Sequence, residues 1–155
     1  MKKLFVSLLV MMMFMLGACS NADDAINEMP LEDIMDSLYA DFSEDELPMF
    51  GEYVEVNDEN VNWYLGLNEC DFKEALANEP LIGSIAHSVV LVRGNDGQDM
   101  EALKEEVRAN LNTNKWICVG IDSEDLVTEI RGNVLLVIID AEGRAQKMAE
   151  VFKSL

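Results

Sequence analysis

Residues 126–139, LVTEIRGNVLLVII, predict a β-hairpin. In the first six residues, Leu126, Thr128 and Ile130 alternate with Val127, Glu129 and Arg131, the period-two pattern of a strand. Gly132-Asn133 then forms a two-residue link of the kind that joins antiparallel strands. The second run is apolar throughout, so we expect it at the centre of a sheet.

A second hairpin-like unit is predicted over residues 72–93. Residues 86–93, AHSVVLVR, are rich in β-branched residues and apolar on both faces, as in a central strand. Residues 72–78, FKEALAN, fit either a helix or a strand, and Pro80 and Gly83 then break the chain. The two units together predict a four-stranded antiparallel sheet.

Two amphipathic helices follow the two hairpin units. Residues 98–112 and 142–154 each carry an apolar stripe at helical spacing, and both stripes need a partner surface. We therefore predict an α+β fold, a two-layer sandwich with both helices on one face of the sheet. A further helix after Pro30, with apolar residues from Leu31 to Phe42, is expected to close an edge or an end.

The first nineteen residues predict export. Lys2 and Lys3 precede an apolar run of about a dozen residues, the layout of a secretory signal. The run is shorter than the roughly 20 residues that a membrane span needs. Leu16-Gly17-Ala18-Cys19 resembles the bacterial lipobox, in which the cysteine is diacylated and becomes the mature N-terminus.

These features give a domain layout. We predict a signal peptide over residues 1–18, a flexible tether over 19–29 and one α+β domain over 30–155. Lipidation at Cys19 would place the protein on the extracytoplasmic face of the cell membrane, because two acyl chains anchor firmly where one binds marginally. An ordinary signal cut after Ala18 and an uncleaved N-terminal anchor are the alternatives.

The charge restricts the partners. The whole chain carries a net charge of −19, and loss of residues 1–18, with two lysines and no acid, leaves 137 residues at −21. Such a surface repels phosphate backbones, so we expect no nucleic-acid partner. An anionic membrane surface would repel this domain, so the lipid anchor would have to overcome that repulsion. Acidity also serves solubility.

The remaining reactive residues form no recognisable catalytic or metal site. Cys70 and Cys118 could form a disulfide outside the cytoplasm or remain buried free thiols. The one histidine, His87, adjoins Ser88, but neighbours on a strand point to opposite faces and cannot form a dyad. One histidine and two distant mature cysteines do not provide a zinc site, so no metal and no cofactor is predicted.

Several pieces in order resemble a family of bacterial lipoproteins from low-GC Gram-positive bacteria, domain-of-unknown-function family 4358. They are Trp63-Tyr64-Leu65-Gly66, the Val-Leu-Val-Arg of residues 90–93, the amphipathic helix that follows, Trp116, and the arm Gly132-Asn133-Val134-Leu135-Leu136-Val137-Ile138. The resemblance covers about two-thirds of the chain. It implies no catalytic residue, and it implies a setting in the acylation of cell-envelope polysaccharides.

Three functions follow as hypotheses. The first is a non-enzymatic binding module of the cell envelope that captures an envelope protein or a glycan. The second is an accessory protein in envelope polysaccharide modification, which rests on the resemblance alone. The third is a small hydrolase that uses carboxylates or a divalent ion.

Overall fold

The computed structural model describes residues 21–49 and 51–155, with side chains from residue 25 onward. The predicted Cys19 lipidation site and the Leu16, Gly17 and Ala18 of the lipobox lie outside the described residues. The elements in chain order are α1 (Asn21–Glu28), α2 (Leu31–Tyr39), β1 (Gly51–Glu55), α3 (Val61–Leu65), β2 (Glu74–Pro80), β3 (His87–Arg93), α4 (Met100–Asn110), a 3-10 turn (Ser123–Asp125), β4 (Val127–Arg131), β5 (Val134–Asp140) and α5 (Ala145–Ser154).

The described residues form an α+β fold around a five-stranded antiparallel sheet in the order β1-β2-β3-β5-β4. The predicted fold class is confirmed, and the predicted count of four strands is corrected to five. The added strand is β1, an edge strand paired with β2. Four of its five residues are exposed, so it lacks the apolar pattern that marks the other strands.

The hairpin predicted over residues 126–139 is confirmed. Strands β4 and β5 pair from Val127↔Ile138 to Arg131↔Val134, with Gly132 and Asn133 between them. Gly132 has a φ of 56°, as the first central residue of a type II′ turn requires and as glycine adopts at little cost. The loop composition therefore fixes the register of the pair.

Helices cover both faces of the sheet, which corrects the predicted two-layer arrangement. On the front face, Val90 and Val137 pack with α3 and α4. On the back face, Leu91 and Leu136 pack with α2 and α5. Every residue of β3 and β5 is buried, and strands that are apolar on both faces need a covering layer on each.

The predicted tether of residues 19–29 also differs from the structure. Its residues Asn21–Glu28 form helix α1, and Ile26 is completely buried in the back core. The Arg93 guanidinium donates to the backbone carbonyls of Ile26, Asn27 and Met29 at the end of this helix. A buried cation at a helix C-terminus satisfies carbonyls that have no partner within the helix. One isoleucine and this arginine thus hold in place a segment whose composition is that of a linker.

The two ends of the sheet are named here by the first and last residues of β3, His87 and Arg93. The Arg93 end contains the C-terminus of β3, the β4–β5 turn and the C-terminus of helix α1. At the His87 end, β3 begins and β2 and β5 finish. The seven residues of β3 separate the two ends by roughly 20 Å, at about 3.3 Å a residue.

Candidate functional site

His87, the residue that sequence analysis examined for catalysis, is completely buried at its end of the sheet. Its Nδ1 lies 2.6 Å from Asp140 Oδ2, and its Nε2 lies 2.8 Å from the Tyr39 hydroxyl. Arg144 Nε donates to the same Asp140 oxygen at 2.9 Å. The network therefore joins β3 and β5 to helices α2 and α5 on the back face.

The electrostatics of this network favour a structural role. Burial would raise the pKa of Asp140, but hydrogen bonds from His87 and Arg144 outweigh it and lower that pKa to about 2. Burial raises the pKa of Tyr39 well above its ordinary value, so the hydroxyl stays protonated and is not activated as a nucleophile. Asp140 is a permanent anion that fixes the imidazole and the guanidinium.

Ser88 cannot act with His87. Alternation along β3 puts His87 on the back face with Leu91 and puts Ser88 on the front face with Val90. The Ser88 hydroxyl is buried and has no hydrogen-bond partner among the residues that the structure describes. The two neighbours therefore lie on opposite faces of the sheet, as strand alternation predicts.

On the front face, the side chain of Glu79 organises a second polar cluster. Its Oε1 accepts from the indole N–H of Trp63 at 2.9 Å and from that of Trp116 at 3.2 Å. Its Oε2 lies 2.8 Å from Lys115 Nζ. The ammonium lies 4.9, 5.0 and 4.9 Å from the ring centroids of Trp63, Tyr64 and Trp116. We call these five residues the Glu79 cage.

The cage holds a charge pair that is almost removed from solvent. The side chains of Lys115 and Glu79 are 2% and 8% exposed. Burial lowers the pKa of Lys115, and the adjacent Glu79 carboxylate opposes that shift. The π faces of three rings add attraction for the cation, since a ring within about 6 Å contributes favourably. The cage therefore has the chemistry of an ammonium-binding site, with Lys115 as its occupant.

Three large exposed apolar side chains belong to the cage or lie close to it in the sequence. Trp63, Leu81 and Ile117 are 45%, 68% and 72% exposed, and we call them the apolar rim. Trp63 is a cage residue, and Leu81 is two residues beyond Glu79. Ile117 is two residues beyond Lys115, and its amide donates to the carbonyl of Gly83 at 2.7 Å. The rim therefore lies at the His87 end of the sheet.

Sequence analysis found part of this site. Trp63, Tyr64 and Trp116 are among the residues that carry the family resemblance, which implied no function for them. Glu79 and Lys115 were missed. One signal was available, because Glu79 continues the inward-facing positions of Ala75 and Ala77 along β2 and places a carboxylate where apolar residues belong.

Cys70 and Cys118 are free thiols in the structure. Cys118 is exposed, which differs from the expectation of buried thiols, and Cys70 is partly buried. Burial and a hydrogen bond with Asp58 raise the pKa of Cys70 to about 11. Within the described ranges, no group of three or more His, Cys, Asp or Glu residues is arranged to hold a metal ion.

Comparison with known proteins adds no assignment. A scan against protein-family models, a search of curated proteins and a search of solved structures all found no match to this chain. The resemblance to family 4358 therefore stays a prediction. In the part of the chain that the structure covers, no helix combines the length and the apolar character that crossing a bilayer requires.

Proposed function

We propose that this protein is a lipid-anchored interaction module of the bacterial cell envelope that binds another protein and catalyses no reaction. The observation that supports this most is the apolar rim, three large exposed side chains that belong to the Glu79 cage or lie two residues from it in the sequence. Contiguous exposed apolar surface rimmed by polar groups marks contact sites on soluble domains. Tryptophan, which the rim contributes as Trp63, is among the residue types enriched in binding hot spots.

The partner we propose is a protein with a basic surface, in preference to a glycan. Leu81 and Ile117 are aliphatic and offer no hydrogen bond to sugar hydroxyls. The mature chain carries a net charge of −21 once residues 1–18 are removed, and this charge attracts a basic surface and speeds its encounter. Polar groups around the rim would then orient the complex.

The position of helix α1 supports an outward-facing rim. Arg93 and Ile26 hold the end of α1 against the body at the Arg93 end of the sheet. The rim lies at the opposite end, roughly 20 Å away along β3. A lipid at Cys19 would therefore join the domain through a docked helix, and the rim would stay clear of that attachment.

The anchor is tested on the native protein. Mass spectrometry of the mature N-terminus should find Cys19 with two acyl chains, and Cys19→Ser should move the protein from the membrane to the soluble fraction. A mature chain that begins elsewhere, or that carries no acyl mass, would refute the anchor.

The rim is tested by adding charge. The measurement is the amount of partner that co-purifies with the protein from detergent-solubilised membranes. With the double variant Leu81→Asp, Ile117→Asp, this amount should be at least tenfold lower than with the wild type. The control, Ala102→Asp with Ala109→Asp, adds the same two charges to exposed positions of helix α4. Equal recovery by the rim variant and the control would refute the rim as the contact surface.

A further inference from the structure

We propose that the Glu79 cage is a binding site for a primary alkylammonium ion, occupied by Lys115 in the free protein and by a lysine of the bound partner in the complex. The cation preference follows from the cage alone. The partner as the source of the lysine rests on the proposed function.

The cage supplies two oxygen acceptors and three aromatic rings to an ammonium group. Lys115 Nζ donates to Glu79 Oε2 at 2.8 Å and to the backbone carbonyl of Trp63 at 3.1 Å. Three ring centroids lie 4.9 to 5.0 Å from the nitrogen. The two indole N–H groups hold the other carboxylate oxygen, so the acceptor is oriented independently of the cation.

These contacts select a primary over a quaternary ammonium. Both oxygen acceptors need an N–H donor, which a tetraalkylated nitrogen does not have. A quaternary ion would leave Glu79 Oε2 and the Trp63 carbonyl without hydrogen bonds in a largely desolvated site, and that arrangement is costly. A lysine side chain satisfies both acceptors and presents the same charge to the rings.

The location of Lys115 permits exchange. Residues 112–122 join helix α4 to the 3-10 turn without helix or strand of their own. Trp63, one wall of the cage, is also a rim residue and is nearly half exposed. A partner seated on the rim therefore contacts Trp63, one wall of the cage, and lies next to the segment that carries the occupant of the cage.

Mass action explains why docking is needed. Lys115 is tethered, so a free cation competes against a high effective concentration of the internal ammonium. A partner held on the rim supplies its own lysine at a comparable effective concentration. The two lysines then compete on equal terms, and the apolar contact around the cage favours the partner's lysine.

The first test uses n-butylammonium chloride as the probe and the indole N–H resonances of Trp63 and Trp116 as the readout. Lys115→Ala should bind n-butylammonium saturably, at least tenfold more tightly than the wild type and at least tenfold more tightly than tetramethylammonium. Adding Glu79→Gln should weaken that binding at least tenfold. Lys153→Ala, which removes an exposed lysine paired with Glu129, should behave as the wild type.

Two outcomes would overturn the inference. A folded Lys115→Ala protein without saturable shifts would show that the cage is no ammonium site. Tetramethylammonium binding as tight as n-butylammonium would refute the selection for N–H donors. Neither result depends on a partner, so each is distinct from failure of the rim variants.

The second test uses the wild type and can therefore be carried out even if Lys115→Ala does not fold. The Nζ–H resonance of Lys115 should be observable because the cage protects it from exchange with water. At a concentration well above the dissociation constant that the indole resonances give for the wild type, n-butylammonium chloride should reduce its intensity at least twofold more than sodium chloride at equal ionic strength. An equal response to the two salts would contradict exchange of the occupant.

Discussion

At the scale of single residues, Asp140 holds together the His87 end of the back face. Its Oδ1 accepts from the amides of Glu142 and Arg144, and its Oδ2 accepts from His87 and from the Arg144 guanidinium. A buried carboxylate with this many donors is stable only as an anion. Protonation therefore breaks a connection among four elements.

Acid should remove this contribution in a defined range of pH. The pKa of Asp140 is about 2 in the folded protein against an ordinary value of 3.8, so the unfolded chain takes up the proton first as the pH falls. The stabilisation, about 2 kcal/mol, is complete above pH 4 and is lost between about pH 4 and pH 2. Urea unfolding at a series of pH values measures it.

The matched variants isolate this residue from the other acids. Asp140→Asn should be less stable than the wild type at pH 7, and the difference should shrink by about 2 kcal/mol by pH 2. Asp45→Asn changes an exposed acid and should follow the wild-type curve. A stability difference between Asp140→Asn and wild type that is constant from pH 7 to pH 2 would contradict the role of the carboxylate.

The cysteines should differ in reactivity. Cys118 is exposed, whereas Cys70 is partly buried with its pKa raised to about 11, which leaves little thiolate at pH 8. Iodoacetamide at pH 8 should alkylate Cys118 at least tenfold faster, as followed by peptide mass spectrometry. Reaction of Cys70 at the rate of Cys118 would contradict the described environment of Cys70.

Residue-level partners were the least predictable part of the site. Glu79 and Lys115 lie 36 positions apart, and Asp140 and His87 lie 53 apart, so no local pattern links them. The sequence indicated that His87 and Ser88 point apart because strand geometry is local. The sequence did not indicate which residues His87 and Ser88 would contact, because those contacts depend on which helices cover each face of the sheet.

At the scale of elements, local patterns were sufficient where they were strong. The Gly132-Asn133 turn and the alternation beside it predicted the β4–β5 hairpin, and the apolar stripes predicted helices α4 and α5. Elements whose placement depends on distant contacts were left out of the predicted sheet and its helices. Strand β1 lacks an apolar pattern, and helix α1 is held by Arg93, 67 positions beyond Ile26.

Arg93 should therefore control the docking of helix α1. Arg93→Ala leaves the carbonyls of Ile26, Asn27 and Met29 without their donor and should destabilise the protein by about 2–4 kcal/mol. Hydrogen exchange should show the loss of protection concentrated at residues 25–29. Lys104→Ala removes an exposed pair with Glu101 and should cost less than 0.5 kcal/mol, about the value of a surface helix pair. Unchanged protection of α1 in Arg93→Ala would contradict this docking.

At the scale of the whole molecule, the number of layers is the main correction to the sequence-based fold. Apolar strands at 86–93 and 134–139 already required cover on both faces, yet both helices were assigned to one face. The apolar stripe of a helix shows that the helix packs against the sheet. Neither the stripe nor the chain connectivity shows which face of the sheet it covers. The resulting sandwich leaves the two sheet ends for function, with α1 at one and the rim at the other.

Site-specific photo-crosslinking in living cells tests the interaction surface most directly. A photoreactive amino acid replaces Leu81 or Ile117 in the full chain, and the control replaces Glu105, an exposed residue of helix α4. Both rim positions should yield a covalent adduct with the same protein, and position 105 should yield none. Adducts of equal yield at all three positions, or none at the rim, would contradict the proposal that the rim is a protein-binding surface.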